Sequence, residues 1–162
     1  MKKAILTFFL ISILIFLSAC TSLNLVQDPT INLSFTVSNL TDKDFESVGT
    51  HGVDNATKND FKKIKFDFDM VHSDKIKDKK ITVPNFRNVA NSYDKDRYWY
   101  GKSYIQDNSN ESFANYSYDF VFLSRGLDDQ TIKSIFDNCE VKVSWTNNSQ
   151  YEEKVFKLVE NR

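Results

Sequence analysis

Few side chains in this chain are suited to chemistry, and their scarcity narrows the choices at once. Cysteine occurs only as Cys20 and Cys139, and histidine only as His51 and His72. A nucleophilic or hydrolytic centre needs a base, an orienting group and a nucleophile within hydrogen-bond reach. Both histidines lie in polar stretches without a catalytic-type neighbour, so both read as structural or solvated. Cys139 alternates with Val141, Val143 and Trp145 and therefore shares a strand face with them. It reads as a packing thiol, since a reactive one needs exposure and an electropositive setting. No paired His or Cys spacing suggests zinc. The run Asp107-Asn108-Ser109-Asn110-Glu111 has the oxygen ligands of a calcium loop. However, Ser112 stands where the sharp-turn glycine belongs and Tyr118 where the bidentate acid belongs. Asp42, Asp44 and Glu46 make no better set. Asp67 and Asp69 share one face of a strand and could pair for sugar hydrolysis, but any wet sheet face carries such acids. No catalytic residue, metal or cofactor is assigned.

Aromatic residues offer a different chemistry, that of contact. Arg97-Tyr98-Trp99-Tyr100, followed by Tyr104, is dense in rings. On a regular strand Tyr98, Tyr100 and Tyr104 share one face and Trp99 takes the other. The outward set would present flat apolar surface with polar tips, suited to a glycan or a protein partner. The alternative is that one set fills the core while the other covers a sheet edge.

The N-terminus carries the most specific pattern. Lys2 and Lys3 precede an uncharged run from Ala4 to Leu17, interrupted only by Thr7 and Ser12. As a helix these residues reach about 21 Å, short of the roughly 30 Å of a bilayer core. A basic start, a short apolar core and small residues after it describe a secretory signal. The box Leu17-Ser18-Ala19-Cys20 resembles the lipoprotein signal of bacteria. That resemblance implies a diacylglyceryl group on the Cys20 sulfur, cleavage before Cys20, and acylation (palmitate or similar) of the new amino group. Two or three acyl chains, at about 0.8 kcal/mol per buried methylene, hold a protein at a membrane without a protein span. The implied location is the extracytoplasmic face of the cell membrane.

Without residues 1–19 the chain has 143 of its 162 residues, with 19 basic and 22 acidic side chains, a net −3. That balance points away from nucleic acid, which selects a clustered basic footprint. The densest basic stretch, Lys75 to Lys80, is interrupted by Asp78 and reads as a solvated turn. The length suits one core. The whole chain has 14 Phe, 7 Tyr and 2 Trp, all but Phe8, Phe9 and Phe16 beyond residue 19, and these rings can build it. With Cys20 lipidated, only Cys139 remains, so no disulfide within the chain can staple the fold.

The elements follow from periodicity. Thr21 to Pro29 is polar and unpatterned, as a tether would be. Ile31, Leu33, Phe35 and Val37 alternate with polar residues, predicting a strand over 30–38. Leu40 to Asn59 reads as a long loop, with or without a short edge strand. Ile64 to Met70 alternates apolar and charged residues without a fault. Ile81 and Val83 form a short strand that Pro84 confines to an edge. Arg97 to Ile105 and Tyr116 to Leu123 form one hairpin through Asp107 to Ser112. Cys139 to Thr146 and Tyr151 to Val159 form another through Asn147-Asn148-Ser149. One helix is predicted, over Asp128 to Phe136, where Ile132, Ile135 and Phe136 share a face.

Together these predict an all-β fold: an antiparallel, immunoglobulin-like β-sandwich of about seven strands with one short crossover helix, preceded by a signal helix. An eight-stranded barrel around a ligand is the alternative. The expected organisation is a signal peptide over 1–19, a lipidated tether over 20–29 and the sandwich over 30–162. The expected function is a non-catalytic binding module of the cell envelope, held by lipid on Cys20 and meeting an envelope protein or glycan through Tyr98, Trp99, Tyr100 and Tyr104. An inhibitor or immunity-type lipoprotein, protecting the cell against an exported enzyme or toxin, is the second reading; an envelope hydrolase is the third.

Overall fold

The computed structural model describes residues 28–94 and 96–159. The expected signal helix (1–19), Cys20 and the tether as far as residue 27 lie outside the described residues. In chain order the strands are β1 (Thr30–Asn39), β2 (Phe61–Val71), β3 (Ile76–Thr82), β4 (Tyr98–Gln106), β5 (Phe113–Leu123), β6 (Glu140–Asn147) and β7 (Gln150–Lys157). They form two sheets, ordered β1-β2-β5-β4 and β3-β6-β7, and every pair is antiparallel. No helix among the described residues is long and apolar enough to cross a membrane.

Alternation fixes the inner face of the larger sheet. On β2, Ile64, Phe66, Phe68 and Met70 are wholly buried while Lys65 and Asp69 are exposed. The register sets them beside Val37, Phe35, Leu33 and Ile31 of β1. A slip of β1 by one residue would turn its four apolar side chains to water, so the pattern specifies the pairing. From β5 come Ala114, Tyr116, Phe120 and Phe122, and from β6 Val141, Val143 and Trp145, all buried in the same core.

Two of the three connections between the sheets, from β3 to β4 and from β5 to β6, are helical, and so is the β1–β2 connection within the larger sheet. Helix α1 (Asp42–Glu46) lies between β1 and β2, α2 (Phe86–Tyr93) between β3 and β4, and α3 (Asp129–Phe136) between β5 and β6. Only α3 was expected. Its cap is Asp128, whose carboxylate accepts the Thr131 N–H at 2.7 Å, and it buries Ile132 and Phe136. Helix α2 is capped by Asn85, which accepts from Asn88 N–H at 3.0 Å, and buries Phe86 and Ala90. Phe86 sits 5.1 Å from Phe66 and 5.0 Å from Tyr118, ring centre to ring centre. Both crossovers thus supply core aromatics as well as connecting the layers.

Two loop expectations need correction. Residues 40–59 contain α1 and no strand, and they end in a 3-10 turn at Lys58–Asp60. They cover a second apolar cluster of Leu40, Val48, Phe61 and Val121 on the outer side of the larger sheet. Arg125 locks this segment: its guanidinium grips both Asp60 oxygens at 2.9 Å and donates to the carbonyls of Asp54 and Asn55. Lys75 to Lys80, expected as a solvated turn, mostly belongs to β3. A bulge between Lys77 and Lys80, with Asp78 at φ 52°, breaks the alternation. It turns Lys79 inward, where its ammonium meets Asp107 at 2.9 Å and its side chain is 5% exposed. Asp107 also accepts the Tyr116 hydroxyl at 2.5 Å, so the pair joins the two layers. As expected from Pro84, β3 is an edge strand.

Candidate functional site

The four aromatic residues singled out on β4 do not keep the regular alternation. The pairing of β4 with β5 shifts between Tyr98 and Tyr100, so Trp99 occupies a bulge and the parity of the strand changes there. Tyr98 faces the core, stacked on Phe120 at 4.8 Å with the Arg87 guanidinium 4.9 Å over its ring. Trp99 packs outward on Phe61 at 5.7 Å, and its indole N–H donates to the Gly49 carbonyl at 2.6 Å. Tyr100 and Tyr104 follow on the outer face, 40% and 58% exposed. The expectation that Tyr98 joins Tyr100 and Tyr104 therefore fails at the bulge. Two of the four rings serve packing and two are open to a partner.

Gly101 makes the bulge feasible. A Cβ there would lie 2.3 Å from the Phe120 Cβ and 2.6 Å from the Tyr98 hydroxyl, so only glycine lets Tyr98 fold back over its own strand.

The outer face around the two tyrosines is polar and ordered by register. One cross-strand row runs Ser34, Asp67, Ser117, Tyr104; the next Thr36, Lys65, Asp119, Lys102; the next Ser38, Lys63, Val121, Tyr100. Asp67, read from the sequence as half of an acid pair, is held by Lys65 at 2.7 Å and the Ser117 hydroxyl at 2.8 Å. Asp69 accepts from the Asn115 amide. Each acid has its own neighbour on a flat sheet.

Where α1 leans over the β4 and β5 ends of these rows, a cleft of about 500 Å³ opens. Lys43, Asp44, Lys63, Tyr100, Lys102 and Asp119 bring its polar and aromatic groups, over Leu40, Phe120 and Val121. Asp44 is fixed by a capping box with Thr41, whose N–H and hydroxyl both donate to it. Those hydrogen bonds, with help from Lys63, hold its carboxyl below the usual carboxylate range. Lys63 lies 3.3 Å from Asp44 and 3.6 Å from Asp119. Burial pulls its ammonium down, yet the two carboxylates outweigh that and leave it above its ordinary value. Lys43 and Lys102 make no hydrogen bond or ion pair among the described residues. No local pattern of residues marks this cleft, because its groups come from α1, β2, β4 and β5 and meet only in the folded chain.

A second concavity, about 1250 Å³, is a groove along the open seam between β1 and β7, beside α3. Ile31, Leu33, Phe35 and Val37 of β1 line it together with Val155 and Phe156 of β7.

The remaining sequence candidates lie apart from both. His51 is exposed in the β1–β2 connection, and a ring nitrogen of His72 lies 2.9 Å from the Ser73 carbonyl. Cys139 is 8% exposed, and burial pushes its thiol up. In the calcium-like run, Asp107 is engaged by Lys79 and Tyr116, and Glu111 accepts from Gln106 and Asn108. Among the described residues no three His, Cys, Asp or Glu side chains converge as metal ligands.

Set beside known proteins, the chain matches no family model, no curated protein and no solved structure.

Proposed function

We propose that this protein is a lipid-anchored, extracytoplasmic binding module of the cell envelope, built on an immunoglobulin-like sandwich and acting by contact without catalysis. The observation that carries the reading is the pair Tyr100 and Tyr104, exposed on a polar sheet face beside a charged cleft. Exposed rings with polar tips are what partner surfaces use to gain area at little entropic cost. The strand order supports the immunoglobulin-like assignment. Constant-type immunoglobulin domains place their first, second, fifth and fourth strands in one sheet and their third, sixth and seventh in the other, the order found here. The inter-sheet disulfide of antibody domains has no counterpart, and Trp145 lies on the sixth strand where theirs lies on the third. The anchor rests on Leu17-Ser18-Ala19-Cys20 and the short apolar run before it.

Two measurements test the proposal. Metabolic fatty-acid labelling is expected to mark the wild type and not Cys20→Ala, which should leave the membrane fraction. Equal labelling of both forms refutes the anchor. For the binding role, detergent-solubilised full chain is used to retain components from native envelope extracts. Retention is expected to fall in Tyr100→Ala/Tyr104→Ala. A retained set that is empty, or indifferent to both tyrosines, refutes the role of this face.

A further inference from the structure

We infer that the cleft between α1 and the β4–β5 edge binds an acidic saccharide, a sugar bearing a carboxylate. This deepens the binding-module reading and rests on it. Lys63 is taken up by Asp44 and Asp119, and that trio sums to one negative charge. Lys43 and Lys102 add two positive charges without partners among the described residues. The cleft is thus net positive in a chain whose formal charge is −1. Two uncompensated ammonium groups lining one concavity attract an anion.

Chemistry narrows the anion further. Asp44 and Asp119 are acceptors only when ionised, and Lys63 approaches Asp119 through its Oδ2, at 3.6 Å. A ligand that satisfies the cleft therefore brings hydroxyl donors as well as an acid group. Tyr100 adds a ring at the wall and its own hydroxyl. Hydroxyls, a carboxylate and an apolar face that can rest on an aromatic ring coincide in a uronic-acid type sugar. The volume of about 500 Å³ falls within the range of roughly 300–1,000 Å³ usual for small-ligand sites. Inorganic phosphate would satisfy the ammonium groups and leave Asp119 and Tyr100 unused.

The test is a titration of detergent-solubilised, isotope-labelled full chain, followed by amide NMR. The ligands are a galacturonic-acid disaccharide, an uncharged disaccharide, inorganic phosphate and a short Glu-rich peptide. The uronic disaccharide is expected to give saturable shifts at Tyr100, Gly101, Lys102 and Asp119, with a dissociation constant of about 1 mM or tighter. Lys43→Ala/Lys102→Ala and Tyr100→Ala should each weaken it about tenfold. Raising the salt to roughly 1 M should weaken it severalfold. Both lysines are exposed and unpartnered, so their loss leaves the fold intact, which an unchanged amide spectrum verifies. The inference is overturned by no saturable shift up to about 10 mM, by equal binding of the uncharged sugar, or by phosphate or the peptide binding as well as the uronate. A failed titration beside tyrosine-dependent retention from envelope extracts removes the sugar and keeps the binding module; failure of both removes both.

Discussion

Single side chains here carry consequences out of proportion to their size. At an ordinary strand position alanine is better than glycine by about 0.5–1 kcal/mol. At Gly101 the added methyl would sit 2.3 Å from the Phe120 Cβ, and overpacking of this kind costs about 1–3 kcal/mol. The clash wins, so Gly101→Ala is expected to lower the denaturant midpoint. Adding Tyr98→Phe should recover only part of the loss, because the Phe120 contact persists. A midpoint at or above wild type contradicts this account of the bulge. Lys79 makes a second case. Removing one member of a buried ion pair strands the other, at a cost of about 3–5 kcal/mol. Lys79→Ala should fall near the lower end, since Asp107 keeps the Tyr116 hydroxyl and some solvent access. A loss below about 1 kcal/mol, the value of a surface pair, would show that the two are not coupled.

At the scale of elements, the same physics explains what could be read in the sequence and what could not. The faultless alternation of Ile64 to Met70 placed both faces of β2, and the spacing of Ile132, Ile135 and Phe136 placed α3. Helix α2 also has a local signature: Asn85 is a good cap, and Phe86, Val89, Ala90 and Tyr93 have helical spacing. Its Asn and Ser content, unfavourable in helix interiors, hid the pattern. The bulges at Trp99 and Asp78 were not legible, because each arises from packing with distant strands and reverses a parity that local sequence suggests. The cleft depends on those strands in the same way. The 40–60 connection, held by Arg125, makes its own prediction. The Arg125 guanidinium, then the Thr57 N–H, hold the Asp60 carboxyl far below the ordinary range. A carboxyl depressed in the folded state contributes stability above its unfolded pKa of about 3.9 and loses it as pH falls toward the folded value. The melting temperature should therefore drop below about pH 4, and Asp60→Asn should flatten that slope while lowering stability at pH 7. An unchanged slope in the variant would exclude Asp60 from the acid transition.

Taken whole, the described residues have two interior strands in the larger sheet, β2 and β5, and one in the smaller, β6. Their backbone amides are paired on both sides and covered by the core, whereas among the described residues β1, β4, β3 and β7 each have a neighbour on one side only. Hydrogen exchange should follow that order, slowest in β2, β5 and β6, faster in the edge strands and fastest around α1. Protection as strong in β1 and β7 as in β2 would mean that something pairs along the open seam between them. The unbroken course of β1 also sets a distance. From Thr30 to Asn39 it spans about 30 Å at the usual rise of a strand, and Tyr100 shares the cross-strand row of Ser38, at the far end. A leash fixed upstream of Asp28 would hold the body by one pole and lift the cleft to the opposite one. Long polymers could then reach Tyr100 without first meeting the surface beneath.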